Sequence, residues 1–283
     1  MLLFASIASG GERSLPLLVS TEWLATHAED EDLVILHVGF SRKEFALAHI
    51  PGARFLWFSA IAPSTPDAST EMPTVHEAER VLGGLGVRRE SRIVLVFSGA
   101  NVTPTARAFL ALTFFGLGDR TALLDGGFDQ WKVEKRRTAN GIPAIPPSAL
   151  RLTVHPSVVT DADWVREHLA SPNVTVVDAR ARNFYDGTGG GVLRQGHIAG
   201  AKSIPFSLLA DSTNRIRPAA ELQRIFDDAG VVRGVTVVSY CHVGQQASLV
   251  FFAALLLGYD ARVYDGSFED WNLRDDRYPV ERK

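Results

Sequence analysis

One side chain in this sequence has a type and a setting suited to nucleophilic chemistry. Cys241, the single cysteine among 283 residues, directly follows the β-branched run Val235–Tyr240. The segment Cys241-His242-Val243-Gly244-Gln245-Gln246 comes next, and an apolar stretch of helical length, Gln246–Leu257, follows. Strand, tight loop and helix start in that order put the sulfur at the C-terminal edge of a parallel sheet, where open α/β folds bind ligands. The same order aims the N–H groups of the helix start at the sulfur. Those donors and the helix dipole favour a thiolate and lower the thiol pKa, which supplies a nucleophile at neutral pH without a neighbouring base. The ordinary alternative is a small core residue, since free thiols pack as apolar groups. A phosphatase loop of similar shape needs an arginine six positions after its cysteine for bidentate contact with phosphate, and Ala247 stands there.

The elements that must position Cys241 belong to a repeated pattern. Leu33–Val38 is followed by His49-Ile50-Pro51-Gly52-Ala53; Val174–Val177 leads to Asp178 and then to His197-Ile198-Ala199-Gly200-Ala201. Arg92–Phe97 corresponds to Val235–Tyr240, and Leu124–Trp131 (LDGGFDQW) to Tyr264–Trp271 (YDGSFEDW). These landmarks recur in one order, 140–148 residues apart, which identifies a duplication. Each copy alternates short apolar strands with helices, so each is expected to be an α/β domain with a small, mainly parallel sheet and helices on both faces. In the second copy the pattern predicts strands at Val174–Val177, Ala201–Ile204, Val235–Tyr240 and Arg262–Tyr264. Helices are expected over Thr160–Ala170, Pro218–Ala229 and Gln246–Leu257, the last apolar nearly all round, as a buried helix would be. The domains are expected at 15–138 and 152–283. The linker 139–151 between them carries Pro143, Pro146 and Pro147, which disfavour helix and stiffen an extended connection.

Composition narrows the partners. Hydrophobic residues make up 46% and charged residues 22%, so the chain can bury a core and is not disordered throughout. With 29 basic against 32 acidic residues, a net charge of −3 and no basic tail, neither nucleic acid nor an anionic membrane surface is an expected partner. A lone cysteine rules out an intramolecular disulfide and a four-cysteine zinc site, and fits the cytoplasm. Its apolar runs are shorter than the roughly 18 residues that span a bilayer. Met1–Gly10 is apolar but lacks the basic start of a signal peptide, so it reads as an N-terminal tail, with export as the alternative.

The tandem copies, the HIPGA and HIAGA segments, the DGGF and DGSF segments each ending at a tryptophan, and the cysteine loop together resemble the two-domain rhodaneses, from Leu15 to the C-terminus. The resemblance implies two tandem rhodanese-like domains and a sulfurtransferase acting on thiosulfate or 3-mercaptopyruvate. Cys241 would take a sulfane sulfur, hold it as a persulfide cradled by the loop His242, Val243, Gly244, Gln245 and Gln246, and pass it to cyanide or a thiol. It implies no metal or organic cofactor, a small anionic donor and a catalytically silent first copy; a monomer is expected. A gapless alignment of Thr105–Phe115 with Ala247–Leu257 sets Gly99 opposite Cys241. Arg107 and Asn101 of the first copy would face the cleft.

The donor is less closely specified. The loop reads CHVGQQA, whereas thiosulfate enzymes of the family commonly carry CRKGVTA and mercaptopyruvate enzymes CGSGVTA. Val243 stands where a lysine would bind a dianion, and Gln245 and Gln246 replace Val-Thr. Thiosulfate is the expected donor, 3-mercaptopyruvate the alternative, and a non-catalytic sulfur carrier or partner-binding module the reading from another class. Asp178-Ala179-Arg180 matches the family's DxR segment, with Arg180 expected in an ion pair beneath the loop. Phe184 occupies the position of a substrate arginine, which leaves Arg182 and Arg194 as the expected anion contacts. His49 and His197 are expected to brace the starts of strands, Asp265 and Trp271 to fix the final turn, and Tyr185-Asp186-Gly187 with Gly189-Gly190-Gly191 to form a mobile rim.

Overall fold

The structure, a computed structural model, describes residues 13–66, 68–99, 101–191 and 193–283; the tail Met1–Gly10 lies outside the described residues. The first half runs β1 (Leu18–Val19), α1 (Thr21–His27), β2 (Leu33–Gly39), α2 (Arg42–Leu47), β3 (Arg54–Trp57), α3 (Phe58–Ile61), α4 (Val75–Gly84), β4 (Arg92–Val96), α5 (Thr103–Phe114), β5 (Thr121–Leu124) and α6 (Gly127–Val133). The second half runs β6 (Val159–Thr160), α7 (Ala162–His168), β7 (Val174–Asp178), α8 (Arg182–Asp186), β8 (His197–Ile198), β9 (Lys202–Ser203), α9 (Ala219–Asp228), β10 (Thr236–Tyr240), α10 (Ala247–Leu256), β11 (Asp260–Tyr264), α11 (Ser267–Leu273) and β12 (Val280–Glu281). The first sheet is ordered β1-β5-β4-β2-β3 and the second β6-β11-β10-β7-β9, both parallel throughout, so the duplicated sequence pattern is a duplicated topology.

The central strands β2 and β4 are apolar on both faces because helices cover both. Val34, Leu36 and Val38 pack on the side of α3, α4 and α5; Leu33 and Ile35 pack with Leu24, Phe45, Phe128 and Trp131 of α1, α2 and α6. Alternation along β2 sends neighbouring side chains to opposite faces. Helix starts follow from their capping residues. Ser20 accepts from the N–H of Trp23, Thr74 and Glu77 form a reciprocal box, and Asp161 accepts from Trp164. The helix expected from Thr160 therefore begins at Ala162, since Thr160 is drawn into the ladder with Tyr264. The short antiparallel pair of β8 with β12 had no signal in the sequence. Of the residues expected in a mobile rim, Tyr185 and Asp186 belong to α8, which Gly187 ends in the left-handed region at φ 85°, while Gly189, Gly190 and Gly191 lie outside any helix or strand.

A single apolar cluster joins the halves. It contains Phe109 and Leu110 of α5 together with Phe251 and Phe252 of α10, and the rings of Phe109 and Phe252 meet edge to face at 5.0 Å. Each of these helices packs on its own sheet and on the other helix, which explains why both are apolar nearly all round. The linker is extended but pinned to the first half. Ala139 and His49 exchange backbone hydrogen bonds, Gly141 donates to Ala46, Ser148 to Gly83 and His155 to Phe114.

Inside this contact lies an ion pair. Arg107 of α5 is fully buried; its guanidinium donates to Asp265 Oδ1 in the second half and to the carbonyl of Thr70 in its own. Removing one member of a buried pair leaves the other without compensation, which costs about 3 kcal/mol or more. Arg107→Leu is therefore expected to lower unfolding stability by about 3 kcal/mol, read from the midpoint and slope of a urea titration; an unchanged midpoint would mean that Asp265 is satisfied without it.

Candidate active site

Cys241 follows β10 and opens the six-residue segment, ending at Gln246, that leads into α10. The loop is built on backbone contacts. Cys241 N–H donates to Ser267 Oγ at 3.1 Å, and its carbonyl accepts from Phe268 N at 3.0 Å. Ser267 holds a left-handed φ of 51° while fully buried, a strained backbone that the surrounding packing enforces. Gly244 has φ 83°, and a Cβ there would come within 3.0 Å of the Asp265 carbonyl and 3.1 Å of Arg107. Only glycine satisfies both the backbone and the space.

The sulfur is fully buried, and burial pushes the Cys241 thiol up; the backbone N–H groups of Ala247, Val243, Gln246 and Gly244 turn toward it and pull the other way, with the smaller effect. The expectation of a lowered thiol pKa is thus corrected. The donors expected from a helix start are in place, but the site is closed over them. The cover comes from the first half: the Thr70 hydroxyl donates to the Val243 carbonyl, while Ser69 gives Glu269 both its N–H, at 3.0 Å, and its hydroxyl, at 3.1 Å. Gln245 Nε2 reaches Thr103 of α5 at 2.9 Å instead of turning to the sulfur. No local pattern in the sequence marks Thr70 as a partner of Val243, because 173 positions separate them. Ser267 did leave a signal, as it replaces the second glycine of the DGGF segment.

Beside the loop lies a cavity of about 290 Å³ lined by Gly191, Leu193, His242, Val243, Phe268, Glu269, Asn272 and Leu273. His242 meets Phe184 edge to face at 4.5 Å, and burial, then the charge of Arg180, push its pKa down. A larger cleft of about 600 Å³ between the halves is acidic, with Glu71, Asp161, Asp265, Glu269 and Asp270 on its walls. Burial and then Asp265 hold the Glu71 carboxyl above its ordinary range.

The two arginines expected to bind the donor line neither space. Arg182 pairs with Asp186 on the exposed face of α8 at 2.9 Å. Arg194 donates to the Tyr278 carbonyl at 2.7 Å and to the Trp271 carbonyl, tying down the C-terminal segment. Arg180 forms the ion pair expected of it, with Nη2 at 2.6 Å from Asp178 and 2.7 Å from the Gly196 carbonyl. His49 and His197 bond the carbonyls of Phe45 and Tyr185 and stack on those rings. Trp271 donates to Pro279, whereas Asp265, in the turn before α11, directs its side chain across the contact to Arg107 and faces the larger cleft. Arg107 is thus an interface residue, and Asn101 caps the start of α5 by accepting from Thr103.

The first copy also differs from the alignment. The carbonyl of Phe97 accepts from Phe128 as that of Cys241 accepts from Phe268, and six positions separate Phe97 from Thr103 as they do Cys241 from Ala247. Phe97, not Gly99, occupies the cysteine position. The gapless alignment erred because α5 has 12 residues and α10 has 10.

Comparison with known proteins fits this architecture. The rhodanese-like domain matches residues 20–134 and 161–274, and the chain belongs to that family. It is 27% identical over 297 residues to thiosulfate/3-mercaptopyruvate sulfurtransferase 1, mitochondrial, of Arabidopsis thaliana, covering 93% of this chain and 78% of the relative. It is 30% identical over 279 residues to a probable 3-mercaptopyruvate sulfurtransferase of Pseudomonas aeruginosa, covering 93% and 97%. Among solved structures, SseA from Escherichia coli, described as a 3-mercaptopyruvate sulfotransferase, superposes with a TM-score of 0.80 at 24% identity, covering 89% of this chain and 99% of that one.

With burial the dominant effect on the thiol, alkylation of native Cys241 by iodoacetamide is expected to follow a pKa above that of the same cysteine in the urea-unfolded chain. A native pKa below the unfolded one would show that the loop donors prevail.

Proposed function

We propose that this protein is a sulfurtransferase in which Cys241 accepts a sulfane sulfur from a small anionic donor and passes it to a thiol or cyanide. The observation that carries the proposal is the set of backbone N–H groups from Val243, Gly244, Gln246 and Ala247 converging on one cysteine at the head of α10. In the first step the thiolate attacks the donor's outer sulfur. The bond holding that sulfur breaks, and its electron pair leaves with sulfite or with the enolate of pyruvate, which then takes up a proton. In the second step the acceptor attacks the outer sulfur of the persulfide, and Cys241 departs as thiolate. A persulfide carries its charge one atom further out, toward the loop donors, which stabilise it as helix-start N–H groups stabilise other anions. Donor access requires the hydroxyl of Thr70 to release Val243.

Both donor classes occur in the names of the relatives, and thiosulfate is the donor expected from the sequence. One observation favours 3-mercaptopyruvate. Among the described residues, the cavity beside the loop is lined by Glu269 and by no lysine or arginine, and His242 is held toward its neutral form. A dianion meets more repulsion there than a monoanion does.

The test is a steady-state comparison of the two donors with cyanide and with a thiol acceptor, alongside intact-mass measurement. With either donor, wild type is expected to gain about 32 Da, one sulfur, lost on adding cyanide. Cys241→Ser is expected to gain nothing and to transfer nothing while folding normally. Retained transfer in that variant overturns the proposal. We expect kcat/KM for 3-mercaptopyruvate to exceed that for thiosulfate at least tenfold; the reverse order would restore thiosulfate.

A further inference from the structure

Among the described residues, the buried and half-buried histidines other than His242 each spend a ring nitrogen on the protein. Nδ1 of His27, His49, His168 and His197 meets a backbone carbonyl at 2.7–2.9 Å, and Nε2 of His37 meets Ser98. His242 is half-buried and lines the cavity beside the cysteine loop, yet neither of its ring nitrogens has a hydrogen-bond partner among the described residues. Both nitrogens keep contact with solvent, unlike the sealed Nδ1 of His37.

The ring is held in place without being used up. It stands at 87° to the Phe184 ring with centroids 4.5 Å apart, and its own backbone carbonyl accepts from the N–H of Glu269 at 3.0 Å. The charged groups near it are Arg180 and Asp178, paired with each other beneath the loop, and Glu269 on the cavity wall. The Glu269 carboxylate is occupied by the N–H and the hydroxyl of Ser69. His242 is therefore the uncommitted base among the described residues of that wall. Burial, then the charge of Arg180, hold its pKa below the ordinary value of 6.5, with Asp178 opposing them. At neutral pH the ring thus carries a free lone pair on one nitrogen.

An acceptor thiol needs such a group. With a pKa of about 8.5 it arrives near pH 7 mostly with its proton on, whereas the thiolate is the nucleophile. We propose that His242 is a catalytic residue, the general base that takes the proton from a thiol acceptor as it attacks the persulfide on Cys241. The inference rests on the sulfurtransferase reading of Cys241. The acceptor S–H gives its proton to the ring nitrogen, and the acceptor sulfur bonds to the outer sulfur of the persulfide. The bond between the two persulfide sulfurs breaks, and its electron pair stays on Cys241 as the thiolate. The sulfur leaves as the persulfide of the acceptor, and the imidazolium gives its proton to water. Positioned bases of this kind contribute about 10²–10⁴-fold to a rate.

The test separates the two half-reactions. Full-length protein is first loaded with donor, and the gain of about 32 Da is checked by intact mass; failure to load overturns the sulfurtransferase reading and this inference with it. Loaded protein is then mixed with N-acetylcysteinamide, an uncharged thiol, or with tris(hydroxypropyl)phosphine, which takes a sulfur with no proton to lose. In wild type the rate with the thiol is expected to be level between about pH 6.5 and 8, where neutral imidazole and protonated thiol coexist, and to fall at lower pH as His242 becomes charged. His242→Gln keeps a polar side chain that cannot take a proton. It is expected to slow the thiol reaction at least tenfold near pH 7, with a slowing at least fivefold smaller for the phosphine. Its thiol rate is expected to climb about tenfold per pH unit, following the thiolate. With loading intact, this inference alone is overturned by a wild-type thiol rate that climbs tenfold per unit across that range, a result that needs no variant, or by equal slowing of thiol and phosphine in His242→Gln.

Discussion

A guanidinium group out of contact with water needs acceptors in place of solvent, and Arg107 finds one for each terminal nitrogen, one in either half of the molecule. Through Asp265 it holds the turn that leads into α11; through the Thr70 carbonyl it holds the segment lying over the cysteine loop. Gly244 packs directly against the same group. The position of the loop around Cys241 therefore depends on a side chain of the domain that has no nucleophile of its own.

The cover is reciprocal. Thr70 of the first half donates to the Val243 carbonyl, and Asn214 of the second donates to the Gly99 carbonyl at 3.0 Å, two positions after Cys241 and Phe97 respectively. Both residues have left-handed backbones without being glycine, at φ 52° and 60°. The aspartates of the paired DG turns are also engaged across the contact: Asp265 accepts from Arg107 and Asp125 from the N–H of Ile216. Duplication has thus preserved a pair of crossed clasps, while the chemistry beneath them has diverged to a thiol on one side and a phenyl ring on the other.

Much of this was legible in the chain. The repeat, the alternation of strand and helix, and the strand-loop-helix setting of Cys241 are local patterns, and sheet register and helix burial follow from them. What could not be read was long-range. The segment over the loop has no periodicity, and its partners lie far away in sequence, so the closure of the site, and with it the direction of the thiol's shift, had no signal. Arg182 and Arg194 misled because an arginine near a binding loop looks the same in sequence whether it faces a ligand or, as Arg194 does, fastens a neighbouring strand to two carbonyls. The placement of Gly99 failed because a two-residue difference in helix length is invisible to an alignment without gaps.

The pinned linker decides where the molecule can bend. From Ala139 to His155 the connection is stitched to the first half, ending with Glu79 accepting from Leu152 at 3.0 Å and Phe114 from His155 at 2.6 Å. β6 then joins the second sheet at Val159. The pivot is confined to the short 3₁₀ turn Pro156–Val158, and a hinge that short permits a swing of one half against the other but little sliding. Because the clasps cross in opposite directions, any movement that parted the halves would break both together, so the cover over Cys241 and the cover over Phe97 are mechanically coupled.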